Sequence, residues 1–199
     1  MSKDLMVGFK SIYLAKVTTH TAAAYATAAA KPLPYAGKMS LTKKETTQDL
    51  YYDDGLYISL KDLKGYDAEL RVAQLSFDMM SALGLGEFDE DTNSFMENMS
   101  ISGGEYSLRF IADTADHLPY YVNFLSFMVT SITPDNYGSM TESLTPNEWI
   151  ITGSISNVQT TGLTYKRVMK LLDDKSNAEE CLAFLTGADT YPPAEPGGD

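Results

Sequence analysis

The stretch GKMSLTKKETTQDLYYDDGLYISLKDLKGYDAELRVAQL, from Gly37 to Leu75, decides the fold. It starts as an alternating strand from Lys38 to Leu41 and ends as a second alternating strand from Tyr66 to Leu75. Between them, Thr42 to Gly65 form a long polar and tyrosine-rich segment. Connections longer than about 12–15 residues are uncommon in compact domains and are usually functional or disordered. We therefore interpret this segment as an arm that makes contacts in an assembly.

The arm contains many charged residues, several tyrosines and one turn signal. The Asp-Gly step at Asp54-Gly55, flanked by tyrosines, is a strong signal for a hairpin turn. It predicts that the arm protrudes as a hairpin with its tip at that step. The residues expected to contact other subunits are Lys43, Lys44, Glu45, Asp49, Tyr51, Tyr52, Asp53, Asp54, Gly55 and Tyr57.

The return strand has one apolar and one polar face, because residues of the two kinds alternate along it. The apolar residues are Tyr66, Ala68, Leu70 and Val72, and the polar residues are Asp67, Glu69 and Arg71. One face is expected to meet a core and the other to meet water. After this strand, FDMMSALGLG predicts a short helix with Ser76 as its N-cap, ending at Gly84 or Gly86. Phe77, Met80 and Leu83 are expected on one side of that helix.

Four further segments have the pattern of strands. They are Val7 to Thr18, the segment after Gly103-Gly104 where Tyr106, Leu108 and Phe110 alternate against Arg109, Tyr120 to Ile132, and Glu148 to Val158. The third is apolar on both faces, which predicts either the interior of the sheet or a contact between subunits. The fourth is expected to be the last strand.

Three segments are expected to lie outside the sheet. Thr19 to Pro34, rich in alanine and ended by prolines, is predicted to be a surface connection, and Glu87 to Asn98 an acidic loop. Ser176 to Leu185 has the pattern of a helix, with Gly187 closing it and a Pro- and Gly-rich tail after it that predicts disorder. We expect a main domain over residues 1–163, with the arm at 42–65, and a C-terminal helical extension over residues 164–199.

The net charge is −12, with 27 acidic and 15 basic residues. A protein that holds nucleic acid through its phosphates needs clustered Lys and Arg, so this composition argues against that function, and DNA should be repelled. The first residues carry charges and lack the apolar run of a signal peptide, and no segment is long and apolar enough for a membrane span. We therefore expect a soluble protein made in the cytoplasm, without membrane partners. The single cysteine, Cys181, fits a reducing compartment.

Candidate catalytic and metal sites are weak. Asp89 to Asn93 begins like a calcium loop, but Ser94 and Ser100 stand where Gly and Glu are required. His20 and His117 lack cysteine partners and a nucleophile arrangement. Asp53 and Asp54 are adjacent, so on a strand they would point to opposite faces, and a turn explains them better. Cys181 falls on the apolar stripe of the predicted C-terminal helix. No phosphate-binding glycine motif is present, so we expect no enzyme, no cofactor and no metal.

The order of these segments resembles the major tail proteins, or tail tube subunits, of long-tailed bacteriophages with non-contractile tails. The residues that carry the resemblance are VGFKSIYLAKVT near the N-terminus, a Leu-Pro step before the second strand, LYYDDGLY in the arm, YDAELRVAQLS in the return strand, and the short helix and aromatic-rich strands after it. The similarity covers Met6 to Val158. The alanine-rich insert and the region after Leu163 depart from the family pattern.

The resemblance implies a mainly β fold of the α+β kind: an antiparallel β-sandwich or barrel with one flanking helix and a protruding arm. It implies hexameric rings that stack into a tube around the tape-measure protein, capped by tail-terminator and distal tail proteins. Double-stranded DNA would pass through the lumen without specific binding, and the protein would reside in the virion. The candidates for lining the lumen are Asp67, Glu69 and Arg71.

A second class of function remains open, that of another β-sandwich assembly or adhesive protein. It includes a tail-terminator, the inner tube subunit of a contractile system, and a surface-binding module. These proteins would share the strand pattern but need not have the arm. Self-assembly into rings or tubes distinguishes a tube subunit from a binding module.

Overall fold

The computed structural model describes residues 6–34, 36–52, 55–97, 103–114, 119–134, 148–160, 163–165, 167–171 and 178–191. The strands are β1 (Met6–His20), β2 (Tyr25–Thr27), β3 (Lys31–Leu33), β4 (Ala36–Tyr52), β5 (Gly55–Val72), β6 (Gly86–Asp89), β7 (Ser94–Glu97), β8 (Glu105–Thr114), β9 (Pro119–Pro134), β10 (Trp149–Ser156), β11 (Val158–Thr160), β12 (Leu163–Tyr165), β13 (Arg167–Leu171) and β14 (Thr190–Tyr191). The helices are α1 (Phe77–Ala82) and α2 (Ala178–Thr186). The expected mainly antiparallel β fold with few helices is confirmed.

Ten of the described strands form one antiparallel sheet, in which eight follow the order β14-β2-β1-β8-β9-β10-β5-β4. In addition, β3 pairs with β1 and β13 pairs with β9. The strand β9 lies in the interior, because β8 pairs along one of its edges while β13 and β10 share the other. This position confirms the first of the two expectations for the apolar segment Tyr120 to Ile132.

The sheet curls around one main core. β1 contacts β4 although four strands separate them in the sheet order. The core draws on β1, β3, β5, β8, β9, β10 and α1, and its most buried members, each at most 3% exposed, include Leu14, Leu70, Leu108, Phe124, Phe127 and Ile151. On the opposite face of β9, Tyr121 packs against Phe184 and Leu185 of α2. Both faces of β9 are therefore covered, which explains why the sequence of this strand is apolar on both sides.

The predicted helix after Ser76 is confirmed as α1, with one correction to its packing. The Ser76 hydroxyl accepts a hydrogen bond from the Met79 backbone N–H at 3.3 Å and caps the helix. Met80 and Leu83 are buried as expected, and so is Met79. Phe77 was expected beside them but is 47% exposed and stacks on Phe88 and Phe95 instead. Phe77 is the first residue of this six-residue helix, directly after the Ser76 cap, and its side chain lies outside the core.

The segment Thr19 to Pro34 is not the surface connection that the sequence predicts. It contains β2 and β3, and both pair with β1. Tyr25 is fully buried, and its hydroxyl donates to the Leu125 carbonyl at 2.5 Å. The alanines hide this pairing because a run of small residues shows no alternation.

The expected acidic loop from Glu87 to Asn98 is also a strand pair over its described residues. β6 and β7 form a two-stranded hairpin in which Phe88 pairs with Phe95. The Asp89 carboxylate accepts hydrogen bonds from the backbone of Asp91 at 2.9 Å and the Thr92 hydroxyl at 2.7 Å, which fixes the turn. The acidic side chain of Asp89 accepts hydrogen bonds within a tight turn, so the prediction of a loop was wrong.

Strand β10 is not the last strand, since β11 to β14 follow it. The predicted C-terminal helix appears as α2, and the backbone N–H of Gly187 bonds to Ala183 O at 2.7 Å to close it. Two of the described strands beyond Leu163 join the main sheet, because β13 pairs with β9 and β14 with β2, whereas β12 pairs with β11 in a separate two-stranded sheet. The division into 1–163 and 164–199 stays a prediction. The predicted disordered tail begins at Tyr191, but Tyr191 itself pairs with Tyr25 as part of β14. The rest of the tail lies outside the described residues.

Candidate assembly surface and the buried polar network

The hairpin β4–β5 leaves the sheet at Gly65. β5 pairs with β10 only from Tyr66, opposite Ile155, to Val72. A register shift between Lys44 and Glu45 marks an irregularity at the same level, and such bulges bend strands. Gly65 has φ +154° there, and a Cβ on it would lie 2.0 Å from the Ile155 carbonyl oxygen, so only glycine fits.

Beyond Gly65 the two strands pair only with each other among the described residues. We call this part, Glu45 to Tyr52 paired with Gly55 to Leu63, the ribbon. Eight residues of strand make it about 26 Å long at ~3.3 Å per residue. The prediction that the arm is a hairpin is confirmed, since its two strands are paired along their length up to Tyr52 and Gly55. The predicted turn at Asp54-Gly55 is wrong for Gly55, which is the first residue of β5, while Asp54 lies outside the described residues.

The predicted contact residues lie along this hairpin. At its base, Lys44 Nζ is 2.6 Å from Asp67 Oδ1, and Lys43 Nζ is 3.8 Å from Glu45 Oε1. Asp49, Tyr51, Tyr52 and Tyr57 lie within its paired strands, but their side chains are outside the described part of the chain. Asp53 and Asp54 lie outside the described residues altogether.

The polar face of β5 is the face that the sequence predicts. Ala68, Leu70 and Val72 are buried, while Asp67 is exposed and Glu69 and Arg71 are half-buried. Arg71 Nε donates to Glu69 Oε1 at 2.9 Å, and Arg71 Nη1 lies 3.5 Å from Glu148 Oε2. The face carries both signs of charge and is held by ion pairs on the surface.

A second polar cluster lies inside the molecule, around Arg109 of β8, whose side chain is fully buried. Its guanidinium donates to the carbonyls of Phe184 at 3.1 Å, Leu185 at 3.3 Å and Gly187 at 2.6 Å. These carbonyls end α2 and would otherwise lack donors. A cation at this end of a helix also interacts favourably with the helix dipole.

Further partners complete this network. Arg109 Nη2 donates to Thr27 Oγ1 at 3.0 Å and to Asp189 Oδ2 at 3.1 Å, and Nε donates to Ser107 Oγ at 3.0 Å. Asn123 Nδ2 donates to the same Asp189 oxygen at 2.8 Å. Burial, and next the charge of Asp189, raise the pKa of the nearby Tyr25 phenol, so it stays protonated. We call the set Thr27, Ser107, Arg109, Asn123 and Asp189 the Arg109 network.

The alternation around Arg109 conceals this network in the sequence, but one other signal indicates it. A charge that alternates with apolar residues, as Arg109 does, is typical of a solvated face. Asn123 and Ser126, however, stand in a strand that is apolar on both faces, and buried polar side chains need partners. That requirement points to a polar cluster across β9 but does not name its members.

One further cluster joins β1, β8, β9 and β10. His20 Nδ1 lies 2.7 Å from Glu105 Oε1, and the Ser126 hydroxyl donates to the same carboxylate oxygen at 2.5 Å. Ser126 Oγ is also 3.1 Å from Ser156 Oγ. The carboxylate stands between histidine and serine, whereas a serine nucleophile requires the imidazole as its direct partner.

The predicted metal candidates gain no ligand set in the described part of the chain. No group of three or more His, Cys, Asp or Glu residues there is placed to hold a metal ion. Asp89 is engaged with the turn of its own hairpin. His117 and the side chain of Cys181 lie outside the described residues.

Comparison with models of protein families and with curated protein sequences found no match to this chain. None of the helices in the described ranges has the length and apolar content needed to cross a membrane.

Proposed function

We propose that this protein is a structural subunit that assembles with copies of itself into hexameric rings, which stack as the tail tube of a long-tailed, non-contractile phage. The tube would surround the tape-measure protein and later conduct double-stranded DNA. The observation that carries the proposal is the ribbon, a strand pair about 26 Å long at ~3.3 Å per residue that leaves the sheet at Gly65.

The ribbon needs a partner on physical grounds. An isolated two-stranded hairpin is at best marginally stable in water. The sequence of its outer half carries apolar residues at every second position, Leu56, Ile58 and Leu60, and the register pairs Leu50 with Ile58. A row of this kind is expected to be buried by a neighbouring subunit.

The curled sheet also supports assembly into a ring. In the described sheet order β4 is a terminal strand, so one of its edges has no strand beside it. Open edges invite pairing, and a closed ring of subunits removes them. Head-to-tail contacts between rings do not close on themselves and therefore build a filament. A β-sandwich or barrel subunit with α1 on its flank fits this arrangement.

The charge balance fits a conduit for DNA. The duplex carries about one negative charge per 1.7 Å, so a basic lumen would hold it, whereas an acidic lumen lets it slide. The chain has a net charge of −12, and Asp67 and Glu69 stand on a polar face of the sheet next to the root of the ribbon. We assign this face, with Arg71, to the lumen.

Truncation of the ribbon tests the proposal. Replacing Thr46–Asp62 by Asn-Gly joins Glu45 to Leu63, which are paired, and leaves the sheet intact. In negative-stain electron microscopy the concentrated parent protein should form rings and tubes, and the truncated protein should form neither. Its unfolding should remain cooperative at nearly the parent temperature. The matched control shortens the β6–β7 hairpin by replacing Glu90–Asn93 with Asn-Gly, and this variant should still form tubes.

Tubes of normal length from the truncated protein would refute the role of the ribbon. Single rings without stacking from the parent would favour a tail-terminator. Monomers at every concentration would favour a surface-binding module.

A further inference from the structure

A cavity of about 250 Å³ opens at one end of the curled sheet, between β1, the chain entering β3, and α1. Buried Leu14 and Met79 and three alanines form its apolar wall. Its remaining lining residues are Lys16, Lys31, Ser81 and Tyr106. None of these residues belongs to the ribbon or to the polar face of β5, so the cavity is independent of the proposed assembly role.

The two lysines occupy positions on the core side of the sheet. Lys31 pairs with Leu14 in β1, and Lys16 pairs with Tyr106 in β8. Leu14 and Tyr106 are both buried in the main core, and directly paired residues share a face. Both lysines are exposed, which places their ammonium groups at the mouth of the cavity.

Neither lysine has a carboxylate within ion-pair distance among the described residues. Lys10, Lys43, Lys44 and Arg71 each have one. The chain has 27 acidic residues against 15 basic ones, so two neighbouring lysines without an acidic partner form a local positive site in an acidic protein.

The hydroxyl groups in the cavity complete a set of donors. Ser81 Oγ is buried and has no hydrogen-bond partner among the described residues, and an unsatisfied buried hydroxyl costs free energy. The Tyr106 hydroxyl donates to Ala82 O at 2.8 Å, and burial raises its pKa, so it stays neutral. The exposed ammonium groups of Lys16 and Lys31 and the buried Ser81 hydroxyl without a partner can thus all donate to an anion.

We propose that this cavity binds a monocarboxylate with an aliphatic body, its carboxylate between Lys16, Lys31 and Ser81 and its chain against the apolar wall. The volume of about 250 Å³ equals roughly eight water-sized groups at ~30 Å³ each, which suits a medium-chain acid. A multiply charged phosphate fits less well, because most of the wall is apolar and the C-terminal carbonyls of α1 lie beside it.

Titration of the full-length protein with octanoate tests this assignment, by calorimetry and by NMR of the alanine methyl groups. Octanoate should bind with a Kd near or below about 1 mM. Acetate, which lacks the body, 1-octanol, which lacks the charge, and inorganic phosphate should each bind at least about tenfold more weakly. The methyl shifts should change at Ala28 and Ala29. The absence of saturable octanoate binding, equal affinity for octanol, or shifts confined to other sites would overturn the proposal.

One double variant and one control test the two lysines. Lys16→Met combined with Lys31→Met should weaken octanoate binding by at least about tenfold, whereas Lys38→Met, at another exposed lysine, should leave it unchanged. Unchanged binding by the double variant would show that these lysines do no more than prevent edge pairing, as inward-pointing charges can.

Ser81→Ala separates binding from folding. It should weaken octanoate several-fold while the Tm stays constant or rises by a few degrees, because the variant removes a buried hydroxyl that has no partner. Parent-like affinity of this variant would exclude the Ser81 hydroxyl as a donor to the ligand.

Discussion

The Arg109 network and the base of the β4–β5 hairpin use the same types of residue in opposite surroundings. Arg109 is fully buried and its guanidinium donates to three carbonyls, two hydroxyls and Asp189. Lys44 and Asp67 form a shorter ion pair, 2.6 Å, but their side chains are 47% and 55% exposed. The distance alone therefore does not show which of the two ion pairs stabilises the protein more, because exposed pairs are screened by water.

The difference in burial gives the charges of the two regions different effects on the fold. Removing one partner from a buried, hydrogen-bonded charge leaves the others without compensation, so such a network fixes the position of the elements it joins. Here it joins the end of α2 to β2, β8 and β9. Charges at the hairpin base contribute little to folding, so they can change without loss of the fold.

The largest expected effect comes from Arg109→Met. The change removes the cation that faces the Asp189 carboxylate, which keeps the hydrogen bond from Asn123, and it removes the guanidinium that donates to the carbonyls at the end of α2. We expect it to lower the free energy of unfolding by about 3–5 kcal/mol. Urea denaturation of the purified protein measures it. Lys10→Met, which breaks the exposed 3.0 Å pair with Asp113, is the control and should cost at most about 1 kcal/mol. Equal losses in the two variants would contradict the contrast between buried and exposed charges.

A smaller effect on folding, but a large one on function, is expected for Asp67→Lys combined with Glu69→Lys. Both residues are on the surface, so the free energy of unfolding should change by less than about 1 kcal/mol per site. Under the proposed tail-tube function, virions assembled from this variant should eject DNA more slowly or not at all, since phosphates would bind the added positive charge. Glu97→Lys, an exposed acidic position in β7, is the matched control. Unchanged ejection kinetics in the double variant would place β5 away from the lumen.

The smallest expected effect is local and concerns the turn of the β6–β7 hairpin. Hydrogen bonds from the Thr92 hydroxyl, and then from the Thr92 and Asp91 backbone, lower the pKa of Asp89 below its ordinary value of 3.8. The carboxylate therefore favours the folded turn above that ordinary value, and the contribution is lost as the pH falls through the lower pKa of the folded state.

NMR titration of the Asp91 and Thr92 amides should show this loss on the acid side of 3.8. In Thr92→Val the midpoint should move up towards the ordinary value. A midpoint at or above that value in the parent protein would contradict the assignment.

Alternation along the chain was enough to predict much of the sheet. The strands over Val7 to Thr18, Tyr120 to Ile132 and Glu148 to Val158 all appear, as β1, β9 and β10, and the Ser76 cap correctly marked α1. Half-buried strands and caps leave local patterns because each residue meets either core or water. Strands that pair without alternating residues leave no such local pattern, so β2 and β3 in the alanine-rich segment were missed. The charged residues of β6 and β7 suggested a loop instead of strands.

The sequence by itself determined the two faces of β5, the strand character on both sides of the arm and the turn signal between them, because these depend on neighbouring residues. Only the tertiary structure decided that the hairpin leaves the sheet at Gly65, that Arg109 is buried, and that two lysines line the same cavity as Ser81. The Arg109 network joins residues up to 162 positions apart, Thr27 to Asp189. Contacts at such separation depend on how the sheet curls and where α2 packs, and no local pattern encodes them.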